Sequence, residues 1–209
     1  MIKTTIAVSI ALMTVTPQLI QAQTISVLED EILRGGIDLF DQEVTLNNDG
    51  QIIIDSFFGI DISNSIATIN NTGLIFNDAG TNNLITVTGD SIVTINNSGQ
   101  INGQGLSNVG VLADFGSVVD IANNTGLITA SIDGVVAAGG TVNIDLNAGD
   151  ITGSLSGAFS TNGGTLNVSN NVGNFTGIST GLEAISGIIN LSNNTGAVSY
   201  THLTLPTKA

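Results

Sequence analysis

The stretch Val93-Thr94-Ile95-Asn96-Asn97-Ser98-Gly99-Gln100-Ile101 decides the fold, because close variants of it return along the chain. Its centre, Asn-Asn-x-Gly, becomes Leu-Asn-Ala-Gly in one copy and ends each time at a glycine: Gly50, Gly73, Gly99, Gly126, Gly149, Gly173 and Gly196. These glycines are 23, 26, 27, 23, 24 and 23 residues apart. Two residues before each stands an asparagine: Asn48, Asn71, Asn97, Asn124, Asn147, Asn171 and Asn194. Self-similarity at such a period indicates a solenoid.

Each period also contains three apolar segments that fit short strands. An alternating segment such as 93–95 or 142–144 leads into the phrase, and a single apolar residue stands two residues after most of its glycines. A third segment, such as 111–113 or 135–137, precedes a Gly-rich turn such as Gly139-Gly140. Alternation with period two predicts strands. We therefore predict an all-β, right-handed parallel β-helix of about seven coils of 23 to 27 residues.

Stacked coils lie about 4.8 Å apart, so each residue lies over its counterpart in the next coil. The chain is 42% hydrophobic but only 4% aromatic and has no Trp, which suits a narrow core of stacked Ile, Val and Leu. Asparagines stacked at a turn can hydrogen-bond one another through their amides. We therefore expect the asparagine column to form a structural ladder. We expect the glycines to supply positive φ at the turns.

The segments before the repeats have a different composition. Residues 1–22 carry Lys3, a short apolar run and small or polar residues up to Ala22, which is typical of a secretory signal peptide cleaved after Ala22. The apolar run is too short for a membrane span of roughly 20 residues. Residues 23–43 lack the phrase and contain Arg34, and we interpret them as an N-terminal cap before the β-helix of residues 44–197.

The last segment, residues 198–209, breaks the pattern and contains the only Tyr and the only His of the chain. Read back into codons, it resembles a sequencing-library adapter translated in frame. We therefore interpret it as an adapter-derived tail and leave it out of the fold prediction. We expect the natural chain to continue past Ala197.

A signal peptide followed by repeats of the form apolar-x-apolar-Asn-Asn-Thr-Gly-x-Ile resembles the passenger regions of Gram-negative autotransporters. The resemblance covers residues 1–197. It implies display on the cell surface or outer membrane, or release outside the cell. It also implies an outer-membrane barrel in the missing C-terminal part, and a role as adhesin or stalk with host surfaces, glycans or further copies as partners.

The cysteine and charged-residue content of the chain argues against several other functions. The chain has no Cys, and between residues 23 and 197 its only basic residue is Arg34, against all 17 acidic ones. Such a charge balance excludes nucleic acid as a partner held by charge. Neither a cofactor nor a metal is expected. The calcium-binding Gly-Gly-x-Gly-x-Asp repeat is absent, so only weak, delocalised calcium binding stays open.

Two features of the sequence could indicate an enzyme rather than a structural protein, a serine motif and a set of carboxylates. Gly89-Asp90-Ser91 resembles the nucleophile motif of an esterase class, but Ser91 shares its repeat position with Ser117, Thr141 and Thr165 and has no His to activate it. A carbohydrate-active enzyme needs paired carboxylates. The candidate carboxylates look scattered over outer faces, at Asp61, Asp114, Asp120, Asp133, Asp145 and Asp150.

We therefore predict no catalytic residues and no enzyme activity in residues 23–197. The alternatives are a carbohydrate-active β-helix enzyme and an exoprotein exported by two-partner secretion. An ice-binding solenoid needs Thr-x-Thr on successive coils, and only Thr86-Val87-Thr88 has that form.

Overall fold

The computed structural model describes residues 5–7, 22–55, 59–77, 83–105 and 108–199. These residues contain strands and no helix. In chain order the strands are β1 (Thr5–Ala7), β2 (Gln23–Val27), β3 (Ile32–Arg34), β4 (Ile37–Phe40), β5 (Glu43–Asn48), β6 (Gln51–Ile54), β7 (Ile60–Ser63), β8 (Ile66–Asn71), β9 (Leu74–Asn77), β10 (Ile85–Thr88), β11 (Ile92–Asn97), β12 (Gln100–Gly103), β13 (Val111–Asp114), β14 (Val118–Asn124), β15 (Leu127–Ala130), β16 (Asp133–Ala138), β17 (Thr141–Ile144), β18 (Asp150–Gly153), β19 (Ser156–Thr161), β20 (Thr165–Ser169), β21 (Asn174–Thr176), β22 (Thr180–Ile185) and β23 (Ile188–Ser192).

The strands form three parallel sheets. Sheet 1 has the order β2-β5-β8-β11-β14-β17-β20-β23, sheet 2 the order β1-β3-β6-β9-β12-β15-β18-β21, and sheet 3 the order β4-β7-β10-β13-β16-β19-β22. Neighbours in a sheet are three strands apart in the chain, so every coil adds one strand to each sheet. The chain is therefore a parallel β-solenoid of about seven coils, which confirms the predicted fold class.

Alternation along each strand separates a packed interior from a polar exterior. In β11, for example, Val93, Ile95 and Asn97 are buried while Thr94 and Asn96 are partly exposed. Like residues stack on like: Ile69, Ile95, Ile121 and Ile144 occupy one column of sheet 1 and are fully buried. Each aliphatic side chain removed from water contributes roughly 1.5–3 kcal/mol, so this column stabilises the stacking of the coils.

Three corners join the sheets in each coil. The Asn corner contains the repeat phrase and joins sheet 1 to sheet 2, while the Ser/Gly corner joins sheet 3 back to sheet 1. The third corner joins sheet 2 to sheet 3 and spans residues 104–110 between β12 and β13, but only residues 131–132 between β15 and β16. The longer third corner and a three-residue turn at the Ser/Gly corner account for the period of 26 residues, and one extra residue in β14, Ala122, raises the next period to 27.

The segments that flank the repeats are partly described. Residues 23–43, predicted as a cap, contribute one strand to each sheet, β2 to β4, and so have the geometry of a coil. The predicted signal peptide lies outside the described residues except for Thr5–Ala7 and residue 22. Thr5–Ala7 pairs with β3.

At the other end, Val198 forms a bridge with Phe175, in the position two residues after the repeat glycine. The rest of the predicted tail, residues 200–209, lies outside the described residues. Within the described part of the chain, no helix has the length and apolar character needed to cross a membrane.

Candidate functional site

The seven asparagines that precede the repeat glycines form one continuous chain of side-chain hydrogen bonds. Each Nδ2 donates to the Oδ1 of the asparagine in the next coil over 2.6 to 2.8 Å, from Asn48 through to Asn194. The first six of these side chains are at most 1% exposed. Buried amides cost free energy unless they are hydrogen-bonded, and the ladder meets that requirement coil by coil.

Backbone contacts fix the direction of this ladder. In the first coils the same Nδ2 also donates to a backbone carbonyl, from Asn48 to Leu74 at 3.2 Å and from Asn71 to Gln100 at 3.2 Å. The Asn48 carbonyl in turn accepts from the amides of Thr72 and Gly73 at 2.9 and 3.0 Å. The ladder ends where asparagine ends: Val27 pairs with Asn48, and the buried Asn48 Oδ1 has no partner among the described residues.

The repeat glycines are required by close packing of the coils, so the expected positive φ is wrong for them. None of the seven has positive φ. Instead, a Cβ built on Gly126 would collide with the carbonyl oxygen of Gly99, and one on Gly149 would collide with that of Gly126. The column consists of Gly50, Gly73, Gly99, Gly126, Gly149, Gly173 and Gly196, and from Gly73 onward each Cβ would meet the glycine of the preceding coil in this way.

Partly exposed amide ladders run along the outer face of sheet 1 in the opposite direction. Asn143 donates to Asp120 at 2.5 Å, Asn167 donates to Asn143 at 2.7 Å, and Asn190 donates to Asn167 at 2.8 Å. A carboxylate only accepts hydrogen bonds, so it can stand in such a ladder only at the acceptor end, where Asp120 stands.

Ser91, the candidate nucleophile, lies at the Ser/Gly corner and makes structural contacts there. Ser91 is 0% exposed, its Oγ donates to the Thr88 carbonyl at 2.7 Å, and it accepts from the Ser65 amide at 3.0 Å. Ser117 occupies the same position and donates to the Asp114 carbonyl at 2.6 Å. Both hydroxyls therefore satisfy backbone groups of the turn.

The predicted equivalence of Thr141 and Thr165 with Ser91 is wrong. Thr141 pairs with Val118, so the residue next to Ser117 in the column is Gly140, followed by Gly164. A Cβ on Gly140 would lie 2.9 Å from the carbonyl oxygens of Ala113 and Ser117, which leaves no room for a side chain. Turn length differs between coils here, and the sequence pattern alone misplaced the register by one residue.

Two of the carboxylates on the outer face of sheet 3 lie side by side. Asp38 and Asp61 are paired in register in β4 and β7. Burial raises the pKa of Asp61, and the charge of Asp38 raises it further, while a hydrogen bond with Thr86 opposes the shift. Thr86 follows Asp61 in the same column, so the lone Thr-x-Thr sequence does not continue as a threonine array.

Asp133 departs most from the expectation that the candidate carboxylates solvate outer faces. It is 7% exposed, and its Oδ1 accepts from the Ser156 amide at 3.0 Å. Burial raises its pKa, the backbone and hydroxyl of Ser156 oppose the shift, and the charge of Glu183 adds to it. The expectation failed because Asp133 begins a strand at the third corner, where the next coil covers it.

The remaining charged candidates lie apart. Asp145 and Asp150 are exposed, and Asp114 is partly exposed at the end of β13. Arg34 forms an exposed ion pair with Asp55 at 3.4 Å. Within the described ranges, no group of three or more His, Cys, Asp or Glu residues is placed to hold a metal ion.

The chain matches no protein-family profile, no curated protein sequence and no solved structure.

Proposed function

We propose that this chain is an exported structural module, a stalk of the kind found in autotransporter passengers, with no catalytic role. The observation that carries the proposal is the unbroken ladder from Asn48 to Asn194, which hydrogen-bonds every coil to the next. In a solenoid each coil contacts only its neighbours, so axial stiffness depends on such coil-to-coil bonds. Six coil spacings give a rod of about 30 Å between the first and last phrases.

The contacts of the polar side chains support a structural role over catalysis. A nucleophilic serine needs a base within hydrogen-bond reach and an exposed position. Ser91 instead is buried and bonded to the backbone, as is its counterpart Ser117. Stacked, uncharged Asn, Thr and Ser columns also suit a surface that must stay soluble outside the cell with few charges.

Export and shape can be tested on the full chain expressed in Gram-negative cells. The proposal expects processing after Ala22, detected by N-terminal sequencing of protein outside the cytoplasm, and an elongated particle in small-angle X-ray scattering. An unprocessed cytoplasmic chain contradicts the export proposal, while a compact, isotropic particle contradicts the stalk.

Catalysis is tested separately, with ester and polysaccharide substrates and the matched variants Ser91→Ala and Ser117→Ala. The stalk proposal expects no turnover by the wild-type chain. Turnover that is lost in Ser91→Ala but kept in Ser117→Ala identifies Ser91 as a nucleophile and overturns the non-enzymatic assignment.

An adhesive role is the second candidate, favoured by the outer face of sheet 1. Its middle column consists of Thr24, Thr45, Thr68 and Thr94 and then Asp120, Asn143, Asn167 and Asn190, all in register. Repeated hydroxyl and amide groups with few charges can hydrogen-bond the hydroxyls of a glycan chain lying along the rod.

The adhesive role predicts that the full chain binds immobilised polysaccharides and that changing Thr45, Thr68 and Thr94 together to Val weakens binding at least tenfold. The matched control changes Thr129, Thr152 and Thr176 to Val on sheet 2, where they also form one column. Equal binding by both triple variants and the wild type excludes sheet 1 as the adhesive face.

A further inference from the structure

Three consecutive coils meet in one polar cluster at the third corner. Asp133, Ser156 and Thr180 are the first residues of β16, β19 and β22 and are paired in register, and Glu183 lies three residues further along β22. Asp133 and Ser156 are buried, at 7% and 1% exposure, and Glu183 is partly exposed. We define these four residues as the corner cluster.

Neutral donors alone hold the two carboxylates of the corner cluster. The Ser156 amide donates to Asp133 Oδ1 at 3.0 Å, and the Ser156 hydroxyl donates to Glu183 Oε2 at 2.9 Å. The Thr180 hydroxyl lies 3.2 Å from both Glu183 Oε2 and Ser156 Oγ. Ser156 therefore connects a carboxylate of the coil below to one of the coil above.

No cation balances this charge among the strands packed against β16. Strands β15, β17, β19 and β20 carry no titratable residue, and β22 carries Glu183. On β13, Asp114 pairs with Ala138 at the far end of the strand. On β18, Asp150 is exposed and accepts a hydrogen bond from Asn174 at 2.7 Å. Arg34, the one basic residue between residues 23 and 197, pairs with Asp55.

We propose that the corner cluster is a proton-responsive clamp, which takes up one proton as the solution is acidified and thereby tightens the packing of β16, β19 and β22. The proton converts the buried Asp133 carboxylate, which no cation compensates, into a neutral group. Desolvation and like-charge repulsion both disappear, and a carboxylic O–H becomes available as a further donor.

The sign of the pH dependence follows from the raised pKa of Asp133. A carboxyl whose pKa is higher in the folded than in the unfolded chain contributes stability that is fully present below its unfolded value. This contribution is lost as the pH rises through the folded value. The corner cluster should therefore stabilise the last three coils more in acidic than in neutral or alkaline solution.

The test compares the full chain with its Asp133→Asn variant by denaturant unfolding over a series of pH values from about 4, near the usual pKa of an aspartate, to about 8, since a raised pKa in the folded chain makes the unfolding equilibrium depend on pH. The matched control is Asp145→Asn, which removes the same charge from an exposed position. Asp133→Asn is expected to be severalfold more stable than wild type at the higher pH and to depend less on pH than the wild type, whereas Asp145→Asn keeps the wild-type pH dependence.

Amide hydrogen exchange localises the effect. On acidification of the wild-type chain, protection should rise in β16, β19 and β22 more than in β5, β8 and β11. If Asp133→Asn fails to fold, Glu183→Gln takes its place, because removing the second charge should also raise stability at the higher pH. The proposal is overturned if the variants keep the wild-type pH dependence, if Asp145→Asn reduces it equally, or if protection rises uniformly along the rod.

Discussion

The Asn corner and the Ser/Gly corner solve the same problem, a sharp turn between stacked strands, in different ways. At the Asn corner the residue and the spacing before the glycine are the same in all seven copies. At the Ser/Gly corner the corresponding column contains Ser65, Ser91 and Ser117 and then Gly140, Gly164 and Gly187. One corner is uniform along the rod, and the other changes in the middle.

The number of coils to which each side chain can hydrogen-bond explains this difference. An amide donates and accepts, so each ladder asparagine bonds to its counterparts in the coils before and after it. The serine hydroxyls mainly satisfy carbonyls of their own turn and of the preceding coil, as Ser117 does with Asp114 at 2.6 Å and Val87 at 3.0 Å. Loss of one asparagine leaves partners in both neighbouring coils unsatisfied, whereas loss of a serine hydroxyl affects its own turn and the preceding coil.

Positive φ shows the same contrast in the backbone. Residues in the left-handed region fall at the Ser/Gly corner in coil after coil, for example Asn64, Gly89, Gly139 and Asn162. At the Asn corner only Asn170 and Asn193, in the last coils, have positive φ. The repeat glycines of the Asn corner are therefore constrained by steric contact with the preceding coil, whereas Gly139 and Gly163 at the Ser/Gly corner are constrained by backbone conformation.

The largest effect is expected from breaking the inner ladder at Asn124→Ala. This change removes the acceptor of Asn97 and the donor to Asn147, and it leaves both amides buried without that partner. An unsatisfied buried polar group costs about 1–3 kcal/mol, so we expect a loss of about 4 kcal/mol in the free energy of unfolding. Denaturant unfolding measures it.

Asn123→Ala is the matched control, because Asn123 belongs to the same phrase but is exposed. Its effect should stay within about 0.5 kcal/mol, as for most surface substitutions. Similar losses in both variants would mean that the ladder contributes nothing beyond local turn propensity.

A smaller loss is expected when the two kinds of glycine are exchanged for alanine. Gly126→Ala drives a Cβ into the Gly99 carbonyl of the preceding coil, where backbone must shift, so we expect about 3 kcal/mol. Gly163→Ala meets no atom within 4 Å but keeps a φ of +80°, and should cost only about 1–2 kcal/mol. Equal losses at the two sites would remove the distinction between steric and conformational glycines.

The sequence predicted whatever repeats in every coil, and it failed where coils differ. The Asn48-to-Asn194 column and the three strands of each coil could be predicted because the same residues must recur for like to stack on like. The positions of Gly140 and Thr141 could not, since turns of two and three residues alternate there and shift the register. The burial of Asp133 depends on its position at a strand start beneath the next coil, which no local pattern encodes.

The smallest loss of stability is expected for Ser117→Ala at the Ser/Gly corner. The variant loses the hydroxyl bonds to Asp114 and Val87, and a hydrogen bond of this kind contributes about 1 kcal/mol net. We therefore expect about a quarter of the loss seen in Asn124→Ala, measured by the same denaturant unfolding.

Amide hydrogen exchange distinguishes the reach of these two changes. In Ser117→Ala the loss of protection should be confined to the strands next to the turn, β13 and β14, and to β10 of the preceding coil, where the hydroxyl contacts the Val87 carbonyl. In Asn124→Ala it should extend to β11 and β17 in the coils on either side, because the ladder bonds Asn124 to Asn97 and Asn147. If Ser117→Ala lowers amide protection in both neighbouring coils as much as Asn124→Ala does, serine hydroxyls also stabilise the stacking of neighbouring coils. The replacement of serine by glycine in the last coils then needs another explanation.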